Sequence, residues 1–285
     1  MYIKLNNVSH EYNEGTPMAQ RVIHNISLEI KQGSFTCIIG HTGSGKSTLM
    51  QHLNALLLPS NGKLEVPGGT VEAGIKTNAK EIKQIRQNVG LVFQFPEYQL
   101  FETTVLKDIM FGPKNYGNTA DEAEILAKKA ARTVGLADEI LEKSPFELSG
   151  GGMRRVAIAG ILSMEPDVIV LDEPTAGLDP RGREEILKIF YKLQQEGKTI
   201  IVATHDMDIV ARYADNVIVM CDGKKLMEGS PKEVFSQKSV INKAGVYLPT
   251  AAGIFSEVYK TDELPLTLDE FVDLIAKRKK VEYEN

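Results

Sequence analysis

The chain has 285 residues, room for about two compact units of roughly 150 residues or one larger unit with an insertion. Its 42% hydrophobic and 25% charged residues exclude disorder and fibrous structure. Lys and Arg number 33 against 38 Asp and Glu, a net charge of −5, so no global basic field awaits a polyanion and nucleic acid is not an expected partner. Cys37 and Cys221, the two cysteines, both sit in apolar runs, which gives no disulfide framework and suggests a reducing compartment. The start lacks a cationic stretch followed by an apolar one, and no run of about 18 apolar residues occurs. Neither a signal peptide nor a membrane span is therefore expected, and any membrane role should be peripheral.

In chain order, Tyr2–Leu5 and the alternating Ile26–Ile30 read as half-exposed antiparallel strands, and the apolar run Phe35–Ile39 as a buried parallel one. A glycine-rich turn follows, then Ser47–Leu58 reads as a helix stopped by Pro59. Between about 95 and 165 the pattern turns helical: Ala123, Leu126, Ala127, Ala130 and Val134 recur at helical spacing, and Val156–Leu162 continues it. Val168–Leu171, Thr199–Ala203 and Asn216–Met220 are β-branched runs separated by the helical stretches Arg181–Gln195 and Met207–Arg212, the signature of a parallel sheet covered on both faces. Asp222-Gly223 predicts a closing hairpin. The expected class is α/β, a mostly parallel sheet with an antiparallel β edge and an inserted helical subdomain. Residues 1–235 would form the main domain and 236–285 an appended element, with an amphipathic helix over Leu268–Lys280.

Gly40, His41, Thr42, Gly43, Ser44, Gly45, Lys46 and Ser47 fit G-x-x-x-x-G-K-[ST] between an apolar strand and a helix, which is the context that motif requires. Glycines let successive N–H groups turn toward a phosphate, Lys46 should reach the β- and γ-phosphates, and the Ser47 hydroxyl should ligate Mg²⁺. Thr48 completes the expected nucleotide-binding set at the helix start. Val168–Leu171 then delivers Asp172 and Glu173 at the carboxyl end of a strand, where ligands of open α/β sheets bind. Asp172 suits the magnesium shell and Glu173 the acceptance of a proton from water. Ser149, Gly150, Gly151 and Gly152 open a helix with a serine cap and bare N–H groups, a second anion-binding terminus. By itself, that stretch is also a plain flexible helix start.

Together these residues resemble the nucleotide-binding subunits of ATP-binding cassette (ABC) proteins, whose signature reads Leu-Ser-Gly-Gly-Gln, from about Ile3 to Phe235. The resemblance implies a P-loop NTPase fold with ATP and Mg²⁺ as cofactors. It makes Gln94 the glutamine-loop residue at the metal, places Gly177–Asp179 against a partner subunit, and makes His205 the switch histidine on the γ-phosphate. His10, His24, His41 and His52 are expected to carry no chemistry of their own. Tyr12 matches the aromatic that stacks on adenine, although a packed or exposed tyrosine fits the sequence as well. In the family the signature enters the other subunit's site, so Ser149, Gly150 and Gly151 would contact the partner's ATP. Gly152 departs from the usual glutamine.

Gln94–Glu102, Met153–Gly160, Asp172–Pro180 and the extra tail look similar to the ATPase subunits of energy-coupling factor (ECF) importers of vitamins and metal ions, more to the second ATPase of the pair. That implies a heterodimer with a second ATPase at the cytoplasmic face of the cell membrane. A transmembrane coupling subunit would sit above it and carry a substrate-binding membrane subunit. Phe95, Pro96, Tyr98, Leu100 and Phe101 would grip a coupling helix, or else pack between subdomains, and the tail would lock the two ATPases together. Rival readings are a soluble ABC ATPase acting on DNA or ribosomes, an interaction module with a dead nucleotide site and, within the transporters, the ATPase subunit of another ABC transporter type. One phosphate loop, one signature and no sustained heptads oppose the first. Intact Lys46, Asp172, Glu173 and His205 oppose the second.

Overall fold

The structure, a computed structural model, describes residues 3–259 and 263–283, the side chains of 278–283 excepted. Strands β1 (Ile3–Tyr12) and β2 (Gln20–Ile30) form an antiparallel pair with Ile3 opposite Ile30. β3 (Phe35–Ile39) belongs to another sheet and runs into the glycine-rich turn and α1 (Lys46–Leu53). The helix is five residues shorter at its end than the expected Ser47–Leu58. Asn54 accepts a hydrogen bond from the Leu56 amide at 3.1 Å and Ala55 adopts φ 53°, a local turn that competes with the helix ladder before Pro59 is reached.

β4 (Asn61–Val66), β5 (Gly69–Glu72), α2 (Ala79–Asn88) and β6 (Val89–Val92) follow. None of the four was expected, because their apolar positions are few and their runs short. Three helices pack against one another next: α3 (Val105–Asn115), α4 (Ala120–Thr133), started by a Thr119–Glu122 capping box, and α5 (Gly150–Leu162). Gly90 lets α5 approach β6, since a Cβ there would lie 2.5 Å from Ile161.

β7 (Val168–Asp172), α6 (Pro180–Gln195), β8 (Thr199–Ala203), α7 (Met207–Tyr213) and β9 (Asn216–Cys221) realise the expected alternation. β10 (Lys224–Gly229) returns antiparallel to β9 through Asp222 and Gly223, both at positive φ as a primed two-residue turn requires. The six-stranded sheet has the order β10-β9-β3-β8-β7-β6, parallel except for β10, and the second sheet the order β2-β1-β4-β5.

Alternation along the buried strands divides the core. Cys37, Ile169, Leu171, Ile200, Val202, Val217 and Val219 face the side of α3–α6, while Ile38, Val168, Val170, Ile201, Ala203, Ile218 and Met220 face α1 and the antiparallel sheet. Beyond β10, α8 (Pro231–Ser236), α9 (Lys238–Ala244), α10 (Thr250–Tyr259) and α11 (Leu268–Tyr283) complete the chain. The appended segment contributes Ile241, Ala244, Ala252 and Leu266 to the same core. Its last helix carries Leu268 and Val272 exposed, while Phe271 meets Phe255 edge-on at 5.8 Å. No helix among the described residues is long and apolar enough to cross a membrane.

Candidate functional site

Parallel strands place their carboxyl ends along one rim of the sheet. Ile38 pairs with Ala203 and Ala203 with Asp172, while Val92 pairs with Leu171, so the loops after β3, β8, β7 and β6 emerge side by side. Asp172 ends β7, and Gly40, Glu173, His205 and Gln94 each follow one of these ends within two residues. The sequence places all of them but Gln94, which enters through the resemblance, on strand ends; the registers bring those ends together.

At β3 the chain turns through Gly40 at φ 151°, where a Cβ would meet the Met220 carbonyl at 2.2 Å, so no other residue fits. Gly43 and Gly45 also adopt positive φ. His41, Thr42 and Gly43 lie toward solvent, Ser44 and Gly45 are buried beneath them, and Lys46 is half-buried. Its ammonium donates to the carbonyls of Gly40 (2.8 Å) and His41 (3.0 Å), which holds the side chain folded over the loop. Burial lowers the Lys46 pKa, opposed by the attraction of Glu173 and Asp172. Burial likewise raises the Asp172 carboxyl, opposed by a hydrogen bond from the Ser47 hydroxyl and by the Lys46 charge. Lysine, serine and aspartate are thus mutually within reach in a partly desolvated rim. Hydroxyl and carboxylate oxygens are the donor set that a hard cation such as Mg²⁺ takes.

Glu173 sits just past β7 with φ 50°, a left-handed conformation uncommon for a glutamate, and its amide donates to the Ala203 carbonyl at 3.0 Å. The turn carries its carboxylate to His205, whose Nδ1 lies 2.9 Å from Oε1. The carboxylate is 14% exposed and the imidazole 76%, so the pair has a sheltered end and an open one. Gln94 is exposed on the bend after β6. Tyr12 ends β1 with its hydroxyl 3.3 Å from Thr48 Oγ1, which places the ring beside the start of α1, and its edge meets His10 at 4.6 Å.

The signature lies elsewhere. Ser149 caps α5 by accepting from the Gly152 amide at 3.2 Å, and Gly150 and Gly151 are exposed with nothing near a would-be Cβ. Ser149, Gly151, Gly152, Gly177, Asp179 and Arg181 line one open depression, with no phosphate-loop residue among its lining.

A connection that the sequence reading missed ties the two parts together. Arg154, 3% exposed, makes paired bonds to Glu97 at 2.8 and 3.1 Å and also donates to the Ala176 carbonyl at 2.7 Å. One guanidinium therefore joins the signature helix, the short turn after Gln94 and the segment after Glu173. Arg154 and Glu97 are 57 positions apart in the chain, so no spacing could show it. Of the five apolar side chains expected in a groove, Phe95, Tyr98 and Phe101 are exposed, but Pro96 and Leu100 are buried and unavailable. Phe111 of α3, itself exposed, joins the patch edge-on to Phe101 at 4.8 Å.

A glycine-built phosphate loop, an acidic pair at the end of a neighbouring strand and a separate serine-capped signature helix define an ATP-binding cassette. The ABC transporter family matches over residues 23–176, and the chain belongs to that family. It is 51% identical over 279 residues to the energy-coupling factor transporter ATP-binding protein EcfA2 of Streptococcus pyogenes serotype M28, covering 96% of this chain and 99% of that one. Among solved structures, CbiO1 from Clostridium perfringens, part of the ABC transporter complex CbiONQ, aligns at TM-score 0.73 and 42% identity over 90% of this chain and 98% of that one. A dimeric ATP-binding cassette in a post-hydrolysis state, bound to ADP and Pi, aligns at TM-score 0.70 and 30% identity over 80% and 98%.

Proposed function

We propose that the protein is the ATP-binding and hydrolysing subunit that powers an ECF-type importer of vitamins or metal ions. The observation that carries this is the 51% identity to an ECF ATP-binding protein across 96% of the chain, which extends far past the cassette match ending at residue 176. In this reading Tyr12 stacks on adenine, and the N–H groups from Gly40 to Thr48 cradle the phosphates. Lys46 turns from the loop carbonyls to the β- and γ-phosphates. Ser47, Asp172 and Gln94 would hold Mg²⁺, which when bound neutralises charge between those phosphates. Glu173 orients water and accepts its proton, while His205, already hydrogen-bonded to Glu173, stabilises the γ-phosphoryl.

Ser149, Gly150 and Gly151 serve the ATP of a second, homologous ATPase; their open depression, apart from this chain's own phosphate loop, supports that role. The exposed Phe95, Tyr98, Phe101 and Phe111 suit a transmembrane coupling subunit, which in this reading carries the substrate-binding membrane subunit while the protein works peripherally at the cytoplasmic face. Phosphate release by the reconstituted complex tests the reading. The complex should turn ATP over and the lone chain should not, whereas a lone monomer working at full rate would overturn the shared site. Lys46→Ala should weaken ATP binding about 10- to 100-fold in an equilibrium titration, the loss of one or two bonds to a charged group. Unchanged affinity would break the loop assignment.

A further inference from the structure

His41, expected from the sequence to carry no chemistry of its own, turns its Nε2 toward the β9–β10 turn. It lies 3.5 Å from Asp222 Oδ1 at the β9–β10 turn. Asp222 Oδ2 lies in turn 3.4 Å from Cys221 Sγ, and all three ligand atoms fall within 4.8 Å of one another. We propose that His41, Cys221 and Asp222 form a site for one borderline divalent cation, typified by Zn²⁺, beside the phosphate loop.

Three observations support it. The first is orientation. His41 Nδ1 is 2.7 Å from the Thr42 carbonyl, which can only accept, so Nδ1 carries a hydrogen and Nε2 is the ring nitrogen left facing the Asp222 carboxylate. The Cys221 sulfur lies 3.4 Å from both Asp222 Oδ2 and the Lys243 carbonyl. Nitrogen, sulfur and carboxylate oxygen thus converge on one point beside the phosphate loop.

The second is geometry. Bonds of about 2.0 Å to nitrogen and oxygen and about 2.3 Å to sulfur give tetrahedral edges of roughly 3.3–3.5 Å; Nε2 and Sγ each stand at that distance from one oxygen of Asp222, Oδ1 and Oδ2 in turn, and the three ligand atoms lie within 4.8 Å, so a small rotation of the carboxylate closes the set. The Lys243 carbonyl borders the fourth position, which is open to it or to water. The third is support: a backbone carbonyl orienting the other ring nitrogen is the usual partner of a metal-bound histidine. The mix of nitrogen, sulfur and oxygen suits Zn²⁺ and disfavours Mg²⁺.

The cluster is accessible, since Asp222 is 82% exposed and the His41 side chain 34%. It also joins two parts that already touch: Gly223 N donates to Ser44 O at 3.1 Å and His41 N to Ala244 O at 3.0 Å. A bound ion adds a further tie between the phosphate loop and the sheet edge.

The test is a Co²⁺ titration of the tag-free, full-length protein without nucleotide or magnesium, followed by displacement with Zn²⁺. We expect one equivalent bound with a near-ultraviolet thiolate-to-cobalt band. Cys37 is fully buried in β3, so the band assigns itself to Cys221. Cys221→Ser should abolish the band. Asp222→Asn, which keeps a residue tolerant of positive φ in the turn, should weaken binding about tenfold or more. Reconstituted in the complex, both variants should turn over ATP at the parental rate in magnesium buffer stripped of transition metals, showing that they fold. Absence of the band from the parental protein, its persistence in Cys221→Ser, or unchanged affinity in Asp222→Asn would overturn the proposal.

Discussion

The phosphate loop and the signature are both glycine-rich helix starts, yet the structure finishes one and leaves the other open. Around Lys46 the chain supplies its own counter-charges, buries Ser44 and Gly45, and lowers the lysine pKa through desolvation before any ligand is present. Around Ser149 the serine caps its own helix, and Gly150 and Gly151 face solvent. The first arrangement is preorganised within one polypeptide; in the proposed reading the second is half of an interface. Glu173→Gln gives the largest test of that contrast. Removing a general base should cut turnover about 10²- to 10⁴-fold while ATP affinity stays within error, as read by phosphate release and nucleotide titration of the complex. Parental turnover would move the base away from Glu173.

The Arg154–Glu97 pair is where the two regions are coupled, and breaking it from one side should be costly. In Glu97→Gln the guanidinium, 3% exposed, loses its counter-charge, so stability should fall by about 3 kcal/mol in urea unfolding. Adding Arg154→Met removes the stranded charge and should restore most of that loss. If the double variant is as unstable as the single, the pair is only packing.

Acid should weaken the nucleotide half selectively. His52 of α1 is fully buried, with Nδ1 2.7 Å from the Thr48 carbonyl and its ring 4.7 Å from His10. Burial first, then the neighbouring His10, lowers its pKa from 6.5 to about 4, against the pull of backbone bonds at Thr48 and Leu58. The unfolded chain therefore takes up a proton at a higher pH than the folded one. Stability is fully present above about 6.5 and declines as pH falls toward 4, with about 2 kcal/mol lost by about pH 5. His52→Leu should flatten that part of the stability profile; an unchanged slope would place the titration elsewhere.

These contrasts also mark how far the sequence could be read. Strands β3, β7, β8 and β9 were legible because parallel strands buried on both faces are continuous apolar runs, and Gly40–Ser47 because its spacing has one known use. β4 to β6 and α2 were not, since short half-exposed elements lack a decisive period. The end of α1 was misjudged because Asn54 competes locally with the helix, a hydrogen bond that helical spacing does not encode. The candidate rim was readable as separate strand ends, but the Arg154 connection and the His41–Cys221–Asp222 cluster depend on residues far apart in the chain.

The smallest effect bears most directly on the open half. Gly152 occupies the first turn of α5, and a Cβ there would lie 3.1 Å from Leu148 Cβ and 3.5 Å from Ser149 Oγ. Gly152→Gln should gain up to about 0.5 kcal/mol in helix propensity, but Leu148, half-buried, must give by a few tenths of an ångström, so the lone chain should shift by less than about 0.5 kcal/mol in urea unfolding. Its new amide, however, projects beside the exposed Gly151 into the depression that the signature shares with Asp179. If that surface covers a second subunit's nucleotide, the substitution alters turnover of the assembled pair while leaving nucleotide affinity of the isolated chain unchanged. A change in the isolated chain's affinity instead would mean that the signature reaches its own phosphate loop, and the division between a finished half and an open half would fail.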